Sequence, residues 1–466
     1  MDRRTFLSAG AATVVGLGLG LGVGPAAAAE RSDDALMHRW FQATYRSMEA
    51  LTTPLGLPAD TLDLSGRTPV RSGNTSPTNI GCLLWSTAAA GGLGVIGRTE
   101  AARRIARTVR AVLGLERAHG FWFNWYDPAT GAVLTSWPGT GAPVRPFLST
   151  VDNAWLVTGL RIAADAVPVL RGRIERLLAA CDWSFFYTPY DAADPVKGPG
   201  QLLGGYWTDD NTVTGFHYGA LNTEPRMASY LGLADGTLPP DHYWHLFRTL
   251  PPQYGQEQVP QGSNRTVDGV EYFAGHYTYR GRSLVPSWGG SMFEALMVPL
   301  FVPEREWSPR AWGVTHSRYV RSQIEFGLAE TGTGFWGLSP SNVPEGGYLA
   351  YGVPSIGMTT DHYASTGAIT PHASFLALPY AESEAVANLR SLAGDFGAYD
   401  KTYGFRDSVN TATGRVSDFV LALDQGMVLA ALAQRLRPGL LQRPFHSGGF
   451  ASRVRPLLGR EDFLLG

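Results

Sequence analysis

Two kinds of helical segment alternate along this chain, and that alternation restricts its fold more than any other feature. The first kind carries arginines and apolar residues at helical spacing, which gives one wet face, at 36–51, 102–118, 169–183, 241–250, 309–328 and 383–396. The second kind is apolar all round and begins beside glycine, asparagine or aspartate, at 77–94, 151–167, 221–236, 289–302, 370–381 and 423–436. Helices that are apolar on every side must be buried, so these form an inner layer.

The order of the segments predicts a specific architecture. Six segments of each kind follow one another in strict order, outer then inner. This pattern predicts an all-α fold, an (α/α)6 toroid of six inner and six outer helices; the alternative is an irregular all-α domain. Long aromatic, glycine-rich loops connect the helices at 120–134, 204–219, 271–290 and 334–354, and the second and third are predicted to hold short strands or a hairpin.

The N-terminus has the composition of an export signal. Arg3 and Arg4 precede an apolar, Gly/Ala-rich stretch that ends in small residues at Ala29. This predicts a twin-arginine signal peptide at 1–29 and a single catalytic domain at 30–466, in a secreted or periplasmic protein. A retained anchor is the alternative, which the short, glycine-rich run disfavours, and no other stretch is apolar enough to predict a stable membrane span.

Charge and metal-ligand content narrow the classes of partner. The net charge is −2 and charged residues make up 17% of the chain, which disfavours nucleic acid and favours a neutral partner. Cys82 and Cys181 are the two cysteines; we expect two buried free thiols, with a single bridge between them as the alternative. The scattered histidines form no HExxH motif. We therefore expect no metal and no cofactor, in a monomer.

Five acidic residues stand where loops meet inner helices. They are Asp152, Glu224, Glu294 and Asp424, with Asp407 just before the last inner helix. In a toroid, like ends of like-directed helices meet at one mouth of the central cavity, so these residues are expected to form a ring of carboxylates. Hydrolysis of a glycosidic bond needs two such groups, one protonated and one ionised.

Glu294 is the strongest candidate for the protonated group. It is isolated in an apolar helix beside Trp288, Met292 and Phe293. Burial there raises the pKa of a carboxyl, so Glu294 is predicted to hold a proton near neutrality and to act as general acid.

The other acids have structural alternatives. Asp152 and Asp424 stand at N-cap positions, and capping alone explains such residues. Glu224 is followed by Arg226, with which it could pair, and Asp407 lies in a glycine-flanked turn. Glu224 or Asp152 is predicted as the base, and Arg226 and Asp407 as substrate contacts.

Tryptophans near these acids predict a sugar site, because the CH faces of pyranose rings pack on aromatic planes. The candidates for binding an oligo- or polysaccharide are Trp122, Trp125, Trp207, Trp288 and Trp336. Trp85 and Trp155 lie inside apolar helices, where core packing explains them equally well.

Other enzyme classes find less support in the sequence. There is no GxSxG elbow and no Walker motif. The stretch "TDHY", residues 360–363, could supply the base of a polysaccharide lyase, with Arg226, Arg280 and Arg282 as the cations that a uronate requires.

Several motifs together resemble the glycoamylase-like family, which includes bacterial endo-β-1,2-glucanases and the terminal domain of cyclic β-1,2-glucan synthases. They are "TSPTNIGCLLWS", "GFWFNWYD", "FLSTVDNAWLVTGL", "LNTEPRMASYLGLADG", "SWGGSMFEALM", "GFWGLSPS" with "YGVPSIG", "ITPHASFLALPYA", "YGFRDSVN" and "ALDQGM", in order from about 75 to 426. The resemblance implies an (α/α)6 toroid, no cofactor, and inverting hydrolysis or transglycosylation of β-1,2-linked glucose. It also implies that Glu294 is the general acid.

One stretch departs from the family pattern. "FHYGALNTEPR" lacks the aspartates expected upstream of Glu224 in the glucanases. Taken together, the export signal, the paired acids and the family resemblance predict an exported glycoside hydrolase with β-1,2-glucan as the first candidate substrate. The alternatives are an exo-acting α-glucan hydrolase of glucoamylase type and a non-catalytic glycan-binding protein of the same fold.

Overall fold

The computed structural model describes residues 25–466, with side chains from residue 33 onward. The predicted signal peptide at 1–29 lies outside the described residues except for 25–29, which begin the first helix. The helices are α1 (Pro25–Leu51), α2 (Pro77–Gly92), α3 (Arg98–Gly114), α4 (Thr150–Ala166), α5 (Arg171–Leu178), α6 (Arg226–Asp235), α7 (Met292–Leu296), α8 (Glu304–Trp307), α9 (Trp312–Ala329), α10 (Pro371–Ala377), α11 (Glu382–Asp395), α12 (Ala422–Leu436) and α13 (Gly448–Gly459).

Short antiparallel strands fill the loops between these helices. They are β1 (Thr61–Asp63), β2 (Val70–Arg71), β3 (Arg117–Ala118), β4 (Phe121–Trp122), β5 (Phe147–Ser149), β6 (Tyr187–Tyr190), β7 (Pro199–Leu203), β8 (Gly205–Trp207), β9 (Thr212–Val213), β10 (His217–Tyr218), β11 (Gln261–Val267), β12 (Val270–Tyr279), β13 (Arg282–Leu284), β14 (Ser341–Asn342), β15 (Tyr348–Leu349), β16 (Tyr399–Asp400), β17 (Gly404–Phe405), β18 (Val409–Asn410), β19 (Arg415–Val416) and β20 (Phe419–Leu421). They form small sheets of two or three strands, with orders such as β2-β1-β20, β5-β8-β9 and β11-β12-β13.

These sheets correct one prediction and confirm another. The chain is helical in its core, but it is not purely all-α, since the sheets occupy the long aromatic loops. The predicted strands at 204–219 and 271–290 are confirmed as β8 to β10 and as β12 with β13. In the part of the chain that the structure describes, no helix combines the length and apolarity needed to cross a membrane.

The predicted inner segments become α2, α4, α6, α7, α10 and α12. Every described residue of α2 except Gly92 is buried, and α4, α6 and α12 are buried over most of their length. Side-chain caps fix the starts of α2 and α4: Ser76 accepts from the N–H of Asn79, and Ser149 accepts from the N–H of Asp152.

Glycines set the spacing of the tightest helix pair. A Cβ atom on Gly159 of α4 would stand 2.7 Å from the Cα of Gly81 in α2. A Cβ on Gly81 would stand 2.4 Å from the carbonyl oxygen of Trp155. The backbones of α2 and α4 can approach this closely because neither glycine carries a side chain.

The inner helices are neighbours in chain order. Helix α2 packs against α4 and α12, α4 packs against α6, and α10 packs against α7 and α12. The remaining junction, between α6 and α7, is made by Arg226, whose guanidinium donates to the carbonyl oxygens of Glu294 at 3.3 Å and Ala295 at 2.8 Å. Each inner helix thus contacts the inner helices before and after it, and α12 contacts α2.

Five predicted outer segments become α1, α3, α5, α9 and α11, which pack on the inner helices. The sixth prediction, at 241–250, is wrong, because Pro240–His245 forms a short 3-10 turn. His242, Tyr243 and Trp244 are all buried in succession, so the segment has no wet face, and helix α13 packs against α6 instead.

Candidate active site

A cavity of about 400 Å³ opens at the N-terminal ends of α6 and α7. Two carboxylates reach it: Glu224, which precedes α6, and Glu294, in the first turn of α7. Aromatic side chains form much of the remaining wall, among them Phe216, Trp288 and Tyr363. The cavity therefore combines paired acids with apolar, planar surfaces.

Glu294 is held by hydrogen bonds from every side. Together with Ser291 it forms a capping box at the start of α7, in which each side chain bonds the other residue's backbone N–H. Ser287 Oγ donates to Oε2 at 2.6 Å and the N–H of Gly289 donates to it at 3.0 Å. Tyr363 donates its phenol to Oε1 at 3.2 Å. Burial raises the pKa of Glu294, and the donors from Ser287, Gly289, Ser291 and Tyr363 oppose that shift because they stabilise the carboxylate.

Glu224 has the opposite environment. Its own backbone N–H and the charge of Arg226 favour its ionised form, and its carboxylate lines the cavity. Burial, and then the negative charge of Glu294, raise the pKa of Glu224 to about 8. The donors around Glu294 favour the ionised form of that carboxyl, whereas burial and the charge of Glu294 favour the protonated form of Glu224.

Arg226 does not pair with Glu224 or face the cavity, which corrects the prediction that it contacts substrate. Its fully buried guanidinium forms an ion pair with Glu304, through Nε at 2.8 Å and Nη2 at 3.0 Å. Its other bonds go to main-chain carbonyls, including that of Thr223 at 3.0 Å. Arg226 therefore fastens α6 to α7, and Glu224 lacks the cationic partner that the sequence offered it.

Asp152 is near Glu224 but is not among the residues that line the cavity. Thr78 Oγ1 donates to its carboxylate at 2.5 Å, and its charge contributes to the raised pKa of Glu224. Asp60, which the sequence did not single out, is a further buried acid nearby, and its carboxylate accepts from Asn79 Nδ2 at 2.7 Å.

Asp407 and Asp424 form a second buried acid pair. His372 Nδ1 lies 3.1 Å from Asp424 Oδ2, and the N–H of Asn342 donates to Asp407 Oδ2 at 2.6 Å. Burial raises the pKa of Asp424 to about 7, and burial with the charge of Asp424 raises the pKa of Asp407 well above its usual range. Burial lowers the pKa of His372 to about 4, so the imidazole is neutral near pH 7.

The structure brings all five predicted acids into one electrostatic neighbourhood. Interactions run from Glu294 to Glu224, from Glu224 to Asp152, and onward through Asp60 to Asp424 and Asp407. Of these, Glu224 and Glu294 line the cavity.

The tryptophan predictions separate into three groups. Trp288 lines the cavity and is 44% exposed, as a sugar platform requires. Trp122 and Trp336 are buried in the core, which corrects their predicted role in binding. Trp125 and Trp207 are half-buried outside the cavity wall, where Trp125 contacts Trp137 and Trp207 lies under Arg145. Trp85 and Trp155 are core residues.

Sequence reasoning missed several wall residues. Phe216, His217 and Tyr218 come from the aromatic loop before α6, and Tyr363 comes from the "TDHY" stretch that was considered for a lyase. Their aromatic loops gave a signal, but loop composition does not show which rings turn inward. In the described part of the chain, no group of three or more His, Cys, Asp or Glu side chains is placed to hold a metal ion. Cys82 and Cys181 are buried free thiols, which confirms that prediction.

Comparison with known proteins connects the chain to carbohydrate-active relatives. The Glycoamylase family model, described as a putative glucoamylase, matches residues 258–448. The cyclic β-(1,2)-glucan synthase NdvB of Rhizobium meliloti (strain 1021) is 30% identical over 313 residues, which cover 64% of this chain and 10% of the synthase. The match thus spans about a tenth of the length of that relative.

Solved structures establish the fold. A β-1,2-glucanase from Parabacteroides distasonis superposes with a TM-score of 0.70 at 18% identity, covering 92% of this chain and 60% of the other. An endo-β-1,2-glucanase from Chitinophaga pinensis, in complex with sophorotriose and glucose, superposes with a TM-score of 0.67 at 17% identity, covering 90% and 97%. The family-model match and the similarity to NdvB confirm the resemblance to the glycoamylase-like family that the sequence motifs predict.

Proposed function

We propose that this protein is a glycoside hydrolase that cleaves a β-glucan, with β-1,2-glucan as the first candidate. The observation that carries this proposal is the pair Glu224 and Glu294 in one aromatic-lined cavity, one isolated and one held by donors. Hydrolysis of a glycosidic bond requires one carboxyl that gives a proton and a second that is ionised. The two environments supply that difference.

We assign the proton donor to Glu224, which exchanges the roles that the sequence predicts. Its raised pKa, about 8, keeps the carboxyl protonated near neutrality, whereas the donors around Glu294 favour its ionised form. Glu294 is then the first candidate for the ionised carboxylate that activates water, and Asp152 is the second. An inverting outcome is the expectation that the family resemblance carries.

The cavity wall suits a neutral sugar. Trp288 and Phe216 expose ring faces beside the acids, and pyranose CH faces pack on such rings. Among the described residues, the cavity lining contains no arginine or lysine that could neutralise the charge of a uronate. This disfavours the polysaccharide-lyase alternative.

Support for the β-1,2 linkage comes from the relatives. NdvB is named for synthesis of a β-(1,2)-glucan, and the structural neighbours are named as β-1,2-glucanases, one of them in complex with sophorotriose. We further propose that the neighbouring order of the inner helices, with outer helices packed around them, forms an (α/α)6 toroid, and that the Arg3–Arg4 segment directs export.

The experiment measures sugar release from β-1,2-glucan, β-1,3-glucan and soluble starch. The wild type is compared with Glu224→Gln and Glu294→Gln, and with Glu116→Gln as a control at an exposed glutamate. We expect turnover of β-1,2-glucan that falls at least about a hundredfold in both site variants and not in the control. Starch cleavage instead would favour the glucoamylase-type alternative, and binding of β-1,2-glucan without any turnover would favour a glycan-binding protein. NMR of the first anomer released distinguishes inversion from retention.

A further inference from the structure

Tyr363 lies outside the family motifs, and it joins the cavity wall to the carboxylate of Glu294. Its phenol donates to Glu294 Oε1 at 3.2 Å, and its ring forms part of the cavity wall. The other side-chain donor to this carboxylate, Ser287, belongs to the same turn as Glu294 itself. Tyr363 is therefore the donor that reaches Glu294 from a separate segment of the chain.

The position of Tyr363 is fixed by packing and by backbone pairing. A Cβ atom on Gly289 would stand 2.1 Å from the Tyr363 ring, so the ring lies directly on that glycine. Upstream, the N–H of Met358 donates to the carbonyl oxygen of Ser287 at 2.9 Å. Downstream, the N–H of Gly352 donates to the carbonyl oxygen of Ala364 at 3.0 Å. The segment is thus tied on both sides of the tyrosine.

The groups packed around Glu294 show why the Tyr363 phenol affects the protonation of its carboxylate. Glu224 faces it across the cavity, Tyr319 of α9 bonds the hydroxyl of Ser287 at 2.8 Å, and Arg226 of α6 reaches the main-chain oxygen of Glu294 and not its carboxylate. Burial raises the pKa of Tyr363 well above its ordinary value, so the phenol stays a donor throughout the working pH range.

We propose that Tyr363 is a positioning residue: it holds Glu294 as the ionised member of the acid pair and so leaves the shared proton on Glu224. This rests on the proposed function, because it gives Tyr363 a role in the same reaction. The physical reason is that an O–H donor forms a stronger hydrogen bond with an ionised carboxylate than with a neutral carboxyl group, so its presence favours the ionised form of Glu294. Without that donor, the proton moves toward Glu294.

The test compares Tyr363→Phe with the wild type, and with Tyr351→Phe as a control at a buried tyrosine of the same region that does not line the cavity. In Tyr363→Phe we expect the acid limb of the kcat/KM profile to move upward by about one pH unit, since losing a donor raises the pKa of Glu294. We expect kcat to fall about tenfold with KM little changed. With a dinitrophenyl glycoside, whose leaving group needs no proton, the loss should persist, because the group affected is the carboxylate that activates water.

A second readout does not depend on turnover. Carbon-13 labelling of the glutamate carboxyls, with the Glu294 signal assigned from Glu294→Gln, reports the titration of that group directly. We expect Glu294 to titrate at higher pH in Tyr363→Phe than in the wild type and in Tyr351→Phe. Unchanged titration and an unchanged acid limb would overturn the role of Tyr363. If no glucan is cleaved, the proposed function fails, while the NMR titration still decides what Tyr363 does to Glu294.

Discussion

Replacing Arg226 by alanine should lower the free energy of unfolding of this protein. Its effect should be on stability and not on substrate binding, because the side chain does not line the cavity. The guanidinium makes two bonds to Glu304 and donates to the carbonyl oxygens of Thr223, Glu294 and Ala295. Both ends of the ion pair are fully buried. Removing the cation leaves Glu304 as an uncompensated buried charge, which costs about 3–5 kcal/mol of the free energy of unfolding.

The neighbours of Glu304 cannot replace the lost cation. Tyr230 donates a neutral hydroxyl to it at 2.8 Å, and His316 Nε2 lies 3.2 Å away. Burial lowers the pKa of His316 well below its usual range, so its ring is neutral in the folded protein. Arg226→Ala should therefore lose the full free energy of unfolding expected for an uncompensated buried charge at Glu304.

Urea unfolding followed by tryptophan fluorescence measures this loss, with the slope checked so that the midpoints are comparable. The double variant Arg226→Met with Glu304→Leu removes both charges and should recover most of the stability, because apolar residues of similar size replace a buried ion pair at little cost. A loss below about 1 kcal/mol in Arg226→Ala, or a double variant no more stable than the single one, would refute the reasoning.

Three further predictions concern Glu224, Trp288 and Trp336. The folded pKa of Glu224, about 8, lies above the ordinary value of 4.5, so the stability that the protonated carboxyl contributes is full below about pH 4.5 and is lost as pH rises through 8. Glu224→Gln should therefore gain stability over the wild type at pH 9 relative to pH 5 in urea titrations, and an equal difference at both pH values would contradict the pKa. Trp288→Ala should raise KM at near-normal stability, whereas Trp336→Ala should lose about 3–5 kcal/mol of unfolding free energy; a higher KM with full stability for Trp336→Ala would place that ring at the substrate.

The sequence predicted the inner helices well because their signal is strong. A segment that is apolar on every face, such as 423–436, can be stable only when it is buried, whatever surrounds it. The segment at 241–250 has aromatic and charged residues at a spacing that also fits an amphipathic outer helix. That prediction failed because three successive side chains are buried by distant parts of the chain, including Glu461, which follows α13 and accepts from Tyr243 at 2.8 Å. Such long-range burial leaves no local pattern.

The sequence predicted which acids belong to the candidate site, but not which residues they contact. Glu224 and Glu294 were both identified because isolated acids at the starts of apolar helices are unusual. The partner of Arg226 was not, because Glu304 lies in a different segment and only the packing of α6 on α7 selects it over Glu224. Likewise Trp336 and Trp288 both adjoin glycines in the sequence, yet one ring is 2% exposed and the other 44%. Side-chain direction in long loops depends on tertiary contacts that composition does not contain.

One local signal at Glu294 did exist, and it explains why a carboxylate stands at the start of a core helix. The sequence from Ser291 to Glu294 has the spacing of a capping box, and helix α7 has five residues, too few to be stable through its own backbone bonds. The cap therefore starts the helix. The carboxylate oxygens of Glu294 that form this cap also carry the negative charge that raises the pKa of Glu224. Glutamine also serves at this position of a capping box, since its carbonyl oxygen accepts the backbone N–H bonds. Glu294→Gln thus removes the charge while keeping the cap, whereas Glu294→Ala removes both and would confuse a loss of chemistry with a loss of the helix that presents it.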